Sequence, residues 1–345
     1  MRWTLATVTL LAMLAVAAPA SAHRLDLDFR GQAIVPTGTT FEGTTVGGLS
    51  SITYDHRRGV YYAISDDPSM FQPVRYYTVG LESRGRLSDG DVRFKDVTTM
   101  LAPDGNAYAT NSLDPEGLTL TKDRELIFTS EGIRNAGIDP FVRRYSLGGR
   151  FLGSLRVPDE FLVTPDPAKG VRQNLGFESA AADGHDLFVA TENALLQDGP
   201  AATVANGSRA RILRYDLRSR RLERQWFYDT EPVAEPPVPA TQFSVNGLVE
   251  LLPLDDDRLI AMERSFSVGA PDTGNTIKLF EVSLRGSTAH KRLLLDLDEL
   301  GIPLDNIEGM TFGPRLKHGR RSLVLVSDNN FAATQFTQFL LFAVD

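Results

Sequence analysis

Short apolar runs alternate with turn signals along nearly the whole chain. The runs are rich in Val, Ile, Leu, Phe and Tyr, and dipeptides such as Asp89-Gly90 and Asp183-Gly184 separate them. Apolar residues at helical spacing are almost absent. Many short strands joined by regular turns are typical of an all-β protein, so the pattern predicts that fold class.

One short pattern recurs five times, at spacings of 62 to 69 residues. Each copy has a polar residue or a glycine, then a small residue, then the start of an apolar strand. The copies begin at Gly47, Glu116, Glu178, Asn246 and Glu308. A fixed period of this size predicts a propeller or a solenoid.

Each copy starts a set of strands that repeats along the chain. The second predicted strands are Val60–Ile64, Glu125–Phe128, Asp186–Val189, Arg258–Met262 and Ser322–Val326. The third strands end around an aromatic residue, at Tyr77, Tyr145, Tyr215, Phe280 and Phe342. The fourth strands are Val92–Val97, Phe151–Val157, Leu222–Tyr228 and Lys291–Asp296. We expect the aligned aromatic residues to belong to the core.

The fifth repeat has no fourth strand of its own, and the N-terminal strand Phe29–Val35 is left over. We expect it to become the outer strand of the last blade, because an open ring would leave pairing edges exposed. The prediction is therefore a β-propeller of five four-stranded blades closed by the N-terminal strand. Six blades stay open as an alternative, because the long loops 101–111, 158–173 and 231–240 could contain further strands.

The first residues predict a secretory signal peptide over residues 1–22. Arg2 precedes an apolar run from Leu5 to Ala18, and Ala20-Ser21-Ala22 has the form of a cleavage site. We expect residues 23–345 to form a single propeller domain that is secreted or periplasmic. The apolar run is shorter than the roughly 20 residues that span a bilayer, so we expect no membrane span.

Charge and composition exclude several classes of function. The chain has 36 basic and 44 acidic residues and a net charge of −8, which argues against binding to a nucleic-acid backbone. The absence of cysteine excludes thiolate catalysis, Cys-ligated zinc and iron–sulfur clusters. No G-x-S-x-G, H-E-x-x-H or phosphate-binding glycine motif is present.

Acidic residues recur at two positions of the repeat. One follows every second strand, and three repeat copies begin with glutamate. Because the two innermost strands of a blade are antiparallel, both positions lie at the same mouth of the channel. The predicted carboxylate ring consists of Asp66, Glu116, Glu131, Glu178, Glu192, Glu263, Glu308 and Asp328. A structural interpretation stays open, in which each acid caps a turn or pairs with an arginine.

The predicted ring has a chemical consequence. Like charges so close together require protons or cations, and a set of oxygen ligands favours calcium or magnesium. Arg75 begins a third strand near this mouth, and Arg264 follows Glu263 directly. Guanidinium groups beside a metal suit an anionic phosphate ester. The sequence therefore predicts Glu308, Glu116, Arg264 and Arg75 as the catalytic residues.

Several of these segments also resemble a known family. They include Asp114-Pro115-Glu116-Gly117, Glu263-Arg264-Ser265, Asn306-Ile307-Glu308-Gly309 and Ser327-Asp328-Asn329-Asn330-Phe331. In this order they resemble the family called esterase-like activity of phytase, over nearly all of the chain after the leader. The resemblance implies an exported propeller, and the family name suggests hydrolysis of phosphate esters or other esters.

The sequence thus favours a metal-dependent phosphoesterase that acts on a small anionic substrate at the channel mouth. Calcium is the expected metal, and we expect a monomer. Two alternatives stay open. The ring could hold structural calcium in a propeller that binds a ligand or a protein without catalysis. The protein could also hydrolyse carboxylic esters or lactones.

Overall fold

A computed structural model describes residues 25–83 and 85–345, so the expected signal peptide lies outside the described residues. Five four-stranded antiparallel sheets form a β-propeller. Each innermost strand contacts the innermost strands of the two neighbouring sheets, which closes the ring around a central channel. The five-bladed prediction is therefore confirmed. No helix in the described part of the chain is long and apolar enough to cross a bilayer.

The strands follow the predicted repeat. Before the first repeat lie β1 (Leu27–Val35), β2 (Thr40–Phe41) and β3 (Thr44–Thr45). Blade 1 contains β4 (Ser51–Asp55), β5 (Val60–Ile64), β6 (Arg75–Leu81) and β7 (Val92–Thr99). Blade 2 contains β8 (Pro115–Leu120), β9 (Glu125–Ser130), β10 (Phe141–Ser146) and β11 (Phe151–Leu155). Blade 3 contains β12 (Phe177–Asp183), β13 (Asp186–Thr191), β14 (Arg209–Asp216) and β15 (Arg221–Asp229).

The last two blades complete the ring. Blade 4 contains β16 (Ser244–Asp255), β17 (Arg258–Ser267), β18 (Asn275–Ser283) and β19 (His290–Asp296). Blade 5 contains β20 (Asn306–Arg315), β21 (Arg321–Asp328) and β22 (Thr337–Val344). β1 pairs with β22 as the outer strand of blade 5, as the sequence predicts.

The alternative of six blades is wrong, because the long loops contain no strand in the described structure. They hold only an isolated bridge between Leu101 and Ala107 and a 3-10 helix, Asp159–Phe161. Three further 3-10 helices occur in other connections, at Arg134–Ala136, Leu297–Leu300 and Lys317–Gly319.

The core lies between adjacent blades rather than in the channel. Each blade packs its two faces against its two neighbours, so most strands are buried on both sides and β22 is buried along its whole length. Between blades 3 and 4, for example, Phe188 and Trp226 pack with Leu251 and Phe280. The aligned aromatic residues of the third strands are all buried, which confirms their place in the core.

The small residue of each repeat allows the inner strands to approach one another. A Cβ atom at Gly117 would lie 2.4 Å from the backbone nitrogen of Ala180 in blade 3. A Cβ atom at Gly309 would lie 2.9 Å from the Cα of Ser51 in blade 1. Both approaches are closer than carbon atoms tolerate, so the repeated glycines follow from the narrow channel.

Candidate functional site

A cavity of about 690 Å³ opens at one mouth of the channel. Seven of the eight acids in the predicted ring line it, and they come from blades 1, 2, 3 and 5. They are Asp66, Glu116, Glu131, Glu178, Glu192, Glu308 and Asp328. The antiparallel arrangement of the two inner strands brings them together, as expected from the sequence.

Local irregularities of the inner strands accompany three of these acids. The strand register shifts at Glu116 in β8, at Glu178 in β12 and at Glu308 in β20. A bulge of this kind redirects a side chain that regular pairing would hold in the sheet. The three glutamates are only 4% to 7% exposed.

Three of the other acids lie just after the second strands, where one backbone contact recurs. The amide N–H of Glu131 donates to the carbonyl of Asp114, and that of Glu192 donates to the carbonyl of Gly176. The N–H of Asp66 donates in the same way to Gly48. Each bond ties the acid to the segment that leads into the innermost strand of its blade.

The carboxylate oxygens form three overlapping groups, each with its ligand atoms within 4.8 Å of one another. The groups are Asp66–Asp114–Glu116, Glu116–Glu178–Glu308 and Glu131–Glu178–Glu192. Asp114 was not among the acids predicted for the ring. Strand pairing brings it there, because Asp114 directly precedes Pro115, which pairs with Ser130 next to Glu131.

Burial and mutual repulsion dominate the electrostatics of this site. Burial, followed by the charges of neighbouring carboxylates, raises the pKa well above its usual range in Asp66, Glu116, Glu178 and Asp328. The same two effects raise the pKa of Glu131. The pKa of Glu192 rises to about 7, because burial outweighs the opposing charge of Arg264.

Several buried oxygens in the cavity have no hydrogen-bond partner among the described residues. Oδ1 of Asp66, Oε2 of Glu131 and Oε1 of Glu192 are inaccessible to solvent and accept no hydrogen bond. A buried oxygen without a partner is costly unless a proton or a cation satisfies it. Oxygen donors of this kind fit a hard divalent cation such as calcium.

Arg264 brings a positive charge into the mouth. Its Nη2 donates to Oε1 of Glu308 at 2.8 Å and lies 3.6 Å from Oε1 of Glu192. Burial opposes the charge, but the carboxylates of Glu308 and Glu192 outweigh it and raise the pKa of Arg264. Glu308 also accepts from Nδ2 of Asn306 at 2.9 Å, which holds the pair in place.

Glu263 does not join the other seven acids. Its carboxylate accepts from Oη of Tyr228 at 2.7 Å and from Nζ of Lys291 at 2.6 Å. β17 continues through Glu263 and Arg264 as a regular strand, so their side chains point to opposite faces. Arg264 therefore faces blade 5 and the cavity, whereas Glu263 faces blade 3.

Arg75 does not line the cavity either, although the sequence suggested it as a phosphate ligand. The side chain is 1% exposed, and its Nη1 donates to Oδ2 of Asp67 at 2.7 Å. Its Nε donates to Oη of Tyr77, and its Nη2 donates to the carbonyl of Thr45. Because these hydrogen bonds and the ion pair occupy the guanidinium group inside the protein, Arg75 has a structural role.

Two asparagines of the cavity wall have an unusual backbone. Asn174 and Asn330 line the cavity with φ angles of 55° and 47°. Residues other than glycine seldom adopt this left-handed conformation, and such positions cluster at functional sites. Neither residue was among the site residues predicted from the sequence.

Comparison with known sequence families gives a match over most of the chain. A family model described as Phytase-like, esterase-like activity of phytase, matches residues 44–331. No curated protein matches the chain in sequence.

Several solved propeller structures are similar at low sequence identity. An endo-arabinase from Bacteroides thetaiotaomicron is 14% identical, with 90% of this chain and 96% of that chain covered and a TM-score of 0.46. A glycosyl hydrolase from Bacteroides ovatus is 9% identical, with 86% and 84% covered and a TM-score of 0.48. The propeller of Dos1 is 6% identical, with 88% and 69% covered and a TM-score of 0.40.

Proposed function

The chain belongs to the phytase-like family, esterase-like activity of phytase, and from this premise we propose that it is a metal-dependent phosphoesterase. The observation that carries the proposal is the group of unpartnered, buried carboxylate oxygens at the channel mouth. One of them, Oε1 of Glu192, lies 3.6 Å from Nη2 of Arg264. Metal ligands beside an arginine suit a phosphate ester, whose negative charge both can neutralise.

In this proposal some carboxylates bind the metal, and others orient the substrate or accept a proton. Glu116 and Glu178 each belong to two of the three oxygen groups, so they are the central ligands for a divalent cation, with calcium the first choice. When bound, the cation supplies charge neutralisation and a water of lowered pKa. The matching donor set at Asp66 and Asp114 offers further ligands.

Arg264 and its partners bind and orient the substrate. Arg264 lines the cavity, so its guanidinium group can donate to a phosphoryl oxygen. Glu308 holds the guanidinium group in position and so acts through Arg264. Burial raises the pKa of Glu192 to about 7, and Glu192 lines the cavity, which suits it to accept a proton from the attacking water.

We also propose a location, a ligand class and an oligomeric state. The predicted signal peptide supports a secreted or periplasmic protein. The ligand is a small anionic ester, and the protein works as a monomer.

The first test is hydrolysis of p-nitrophenyl phosphate with calcium and then with chelator. We expect turnover that requires calcium, and we expect Glu308→Gln to lower kcat/KM by about 100-fold because Arg264 loses its orientation. Glu223→Gln is the matched control, because Glu223 lies on the outer strand of blade 3.

Other outcomes would contradict the proposal in distinguishable ways. Absence of turnover, with a melting temperature that falls on chelation, would make the metal structural and favour a binding propeller. Hydrolysis of p-nitrophenyl acetate but not of the phosphate would favour a carboxylic-ester hydrolase. Unchanged activity in Glu308→Gln would show that Glu308 does not position Arg264 for catalysis.

A further inference from the structure

Blade 4 lines the cavity differently from the other four blades. They contribute the carboxylates of the ring, whereas blade 4 contributes Arg264 and the apolar side chains of Phe243, Val245 and Phe266. Blade 4 also adds polar residues from the β17–β18 connection and the start of β18, namely Asp272, Thr273 and Asn275. The ring centroids of Phe243 and Phe266 lie 6.3 Å apart, with the planes tilted by 40°. Blade 4 therefore places a pair of phenylalanines next to Arg264 in the cavity wall.

The sequence of blade 4 accounts for this wall. Its repeat begins with Asn246, where three other blades have a glutamate in the cavity. Its second strand continues to Ser267, so Arg264 and Phe266 lie two residues apart on one face of β17. Their Cα atoms are about 6.6 Å apart at the usual rise of a strand. An anion bound by Arg264 would thus have an aromatic ring beside it.

The wall is held by regular backbone pairing. Val245 pairs with Phe266 across β16 and β17, and Phe266 pairs with Asn275 of β18. The N–H of Val268 donates to the carbonyl of Phe243 at 3.0 Å, which anchors the residue before β16. Even so, Phe243 leaves 61% of its surface exposed at the edge of the cavity.

We propose that this wall binds an aromatic ring on the organic side of the ester, so that aryl phosphates are the preferred substrate class. The inference rests on the proposed function, because it requires an anionic group at Arg264 and the carboxylates. An exposed phenylalanine stacked near a second one offers a face on which a substrate ring can stack in a tilted or offset arrangement. Hydrolysis would release the aryl alcohol and inorganic phosphate, with water as the second reactant.

The test measures binding without turnover, by calorimetry of phenylphosphonate and methylphosphonate in the presence of calcium. We expect the intact protein to bind phenylphosphonate about three- to tenfold more tightly. Phe243→Ala should remove most of this preference while methylphosphonate binding stays unchanged. Phe71→Ala is the matched control, because Phe71 is 59% exposed and stacks on Phe331 but does not line the cavity.

Each other result has a clear meaning. Equal binding of the two phosphonates, or a preference that survives in Phe243→Ala, would overturn the aromatic subsite and leave the phosphoesterase proposal intact. Failure of both phosphonates to bind would overturn the proposed function and this inference with it. Phe243→Leu keeps the apolar surface without the ring, so a preference retained by this variant would also contradict stacking.

Discussion

Individual residues near this site make different contacts because the backbone directs their side chains to different faces. Glu263 and Arg264 are neighbours in the chain, yet the first pairs with Lys291 and the second enters the cavity. Arg75 and Arg264 looked equivalent in the sequence, but only Arg264 reaches the carboxylates. The register of a strand decides such differences, because successive side chains point to opposite faces.

Arg75 and Arg264 should therefore respond differently to substitution. Arg75→Met leaves Asp67 buried without its ion-pair partner, so the free energy of unfolding should fall by about 3–5 kcal/mol. The folded fraction should keep its turnover of p-nitrophenyl phosphate. Arg264→Met should instead lose turnover by about 100-fold. Urea unfolding and kinetics on both variants separate these effects. Loss of turnover at unchanged stability in Arg75→Met would restore the phosphate-binding role.

Glu250 provides a test of stability against pH. Its carboxyl lies buried on β16 and accepts from Oγ of Ser51 in blade 1 at 2.9 Å. Burial raises the pKa of Glu250 well above its usual range, although hydrogen bonds from Leu251 and Ser51 oppose the shift. A raised pKa means that the folded state favours the protonated form. The stabilising contribution is thus complete below the ordinary glutamate pKa and is lost as pH rises through the raised value.

Glu250→Gln should consequently raise the free energy of unfolding at pH 8 and change that free energy little at pH 4. Glutamine resembles the protonated carboxyl in shape but does not ionise. Urea midpoints measured between pH 4 and pH 8 should fall less steeply for the variant than for the unmodified chain. Parallel pH profiles would show that ionisation of Glu250 does not affect folding.

At the scale of elements, the innermost strands satisfy two structural requirements at the same time. Their bulges direct glutamates into the channel, and their small residues let neighbouring blades touch. Both features fall within the same short repeat pattern, which is why that pattern was visible in the sequence. Neither the bulges nor the interblade distances could be read from it, since they depend on pairing with other strands.

Substitution of Gly117 by alanine should reduce the stability of the protein more than the same substitution at Gly148. A Cβ atom there would overlap the backbone of Ala180, so Gly117→Ala should cost about 1–3 kcal/mol of unfolding free energy. Gly148 lies in a turn, where the nearest atom to an added Cβ is 3.8 Å away. Gly148→Ala should change stability by no more than about 0.5 kcal/mol. Equal effects in thermal unfolding would contradict close packing of blades 2 and 3.

At the scale of the whole molecule, the ring closes through strands from opposite ends of the chain. β1 pairs with β22 from Leu27–Val344 to Val35–Thr337, and the rings of Phe29 and Phe342 lie 5.4 Å apart. This closure covers an edge that would otherwise be open for pairing with other chains.

Removal of β1 should accordingly disrupt the entire propeller. A chain that begins at residue 36 should aggregate or lose cooperative unfolding, because β22 would have an exposed edge. A chain that begins at residue 25 keeps β1 and is the matched control. Size-exclusion chromatography and thermal unfolding compare the two. Normal unfolding of the shorter chain would mean that β1 is dispensable for closure.

The sequence by itself determined the all-β class, the five repeats, the closing N-terminal strand and seven of the acids at the mouth. These features depend on local alternation, on turn residues and on a long-range period, all of which are visible along the chain. Only the tertiary structure decided that Glu263 and Arg75 lie outside the cavity, that Asp114 joins the carboxylates and that blade 4 forms an aromatic wall. The physical reason is that strand register and bulges set the direction of each side chain, and both arise from pairing between strands.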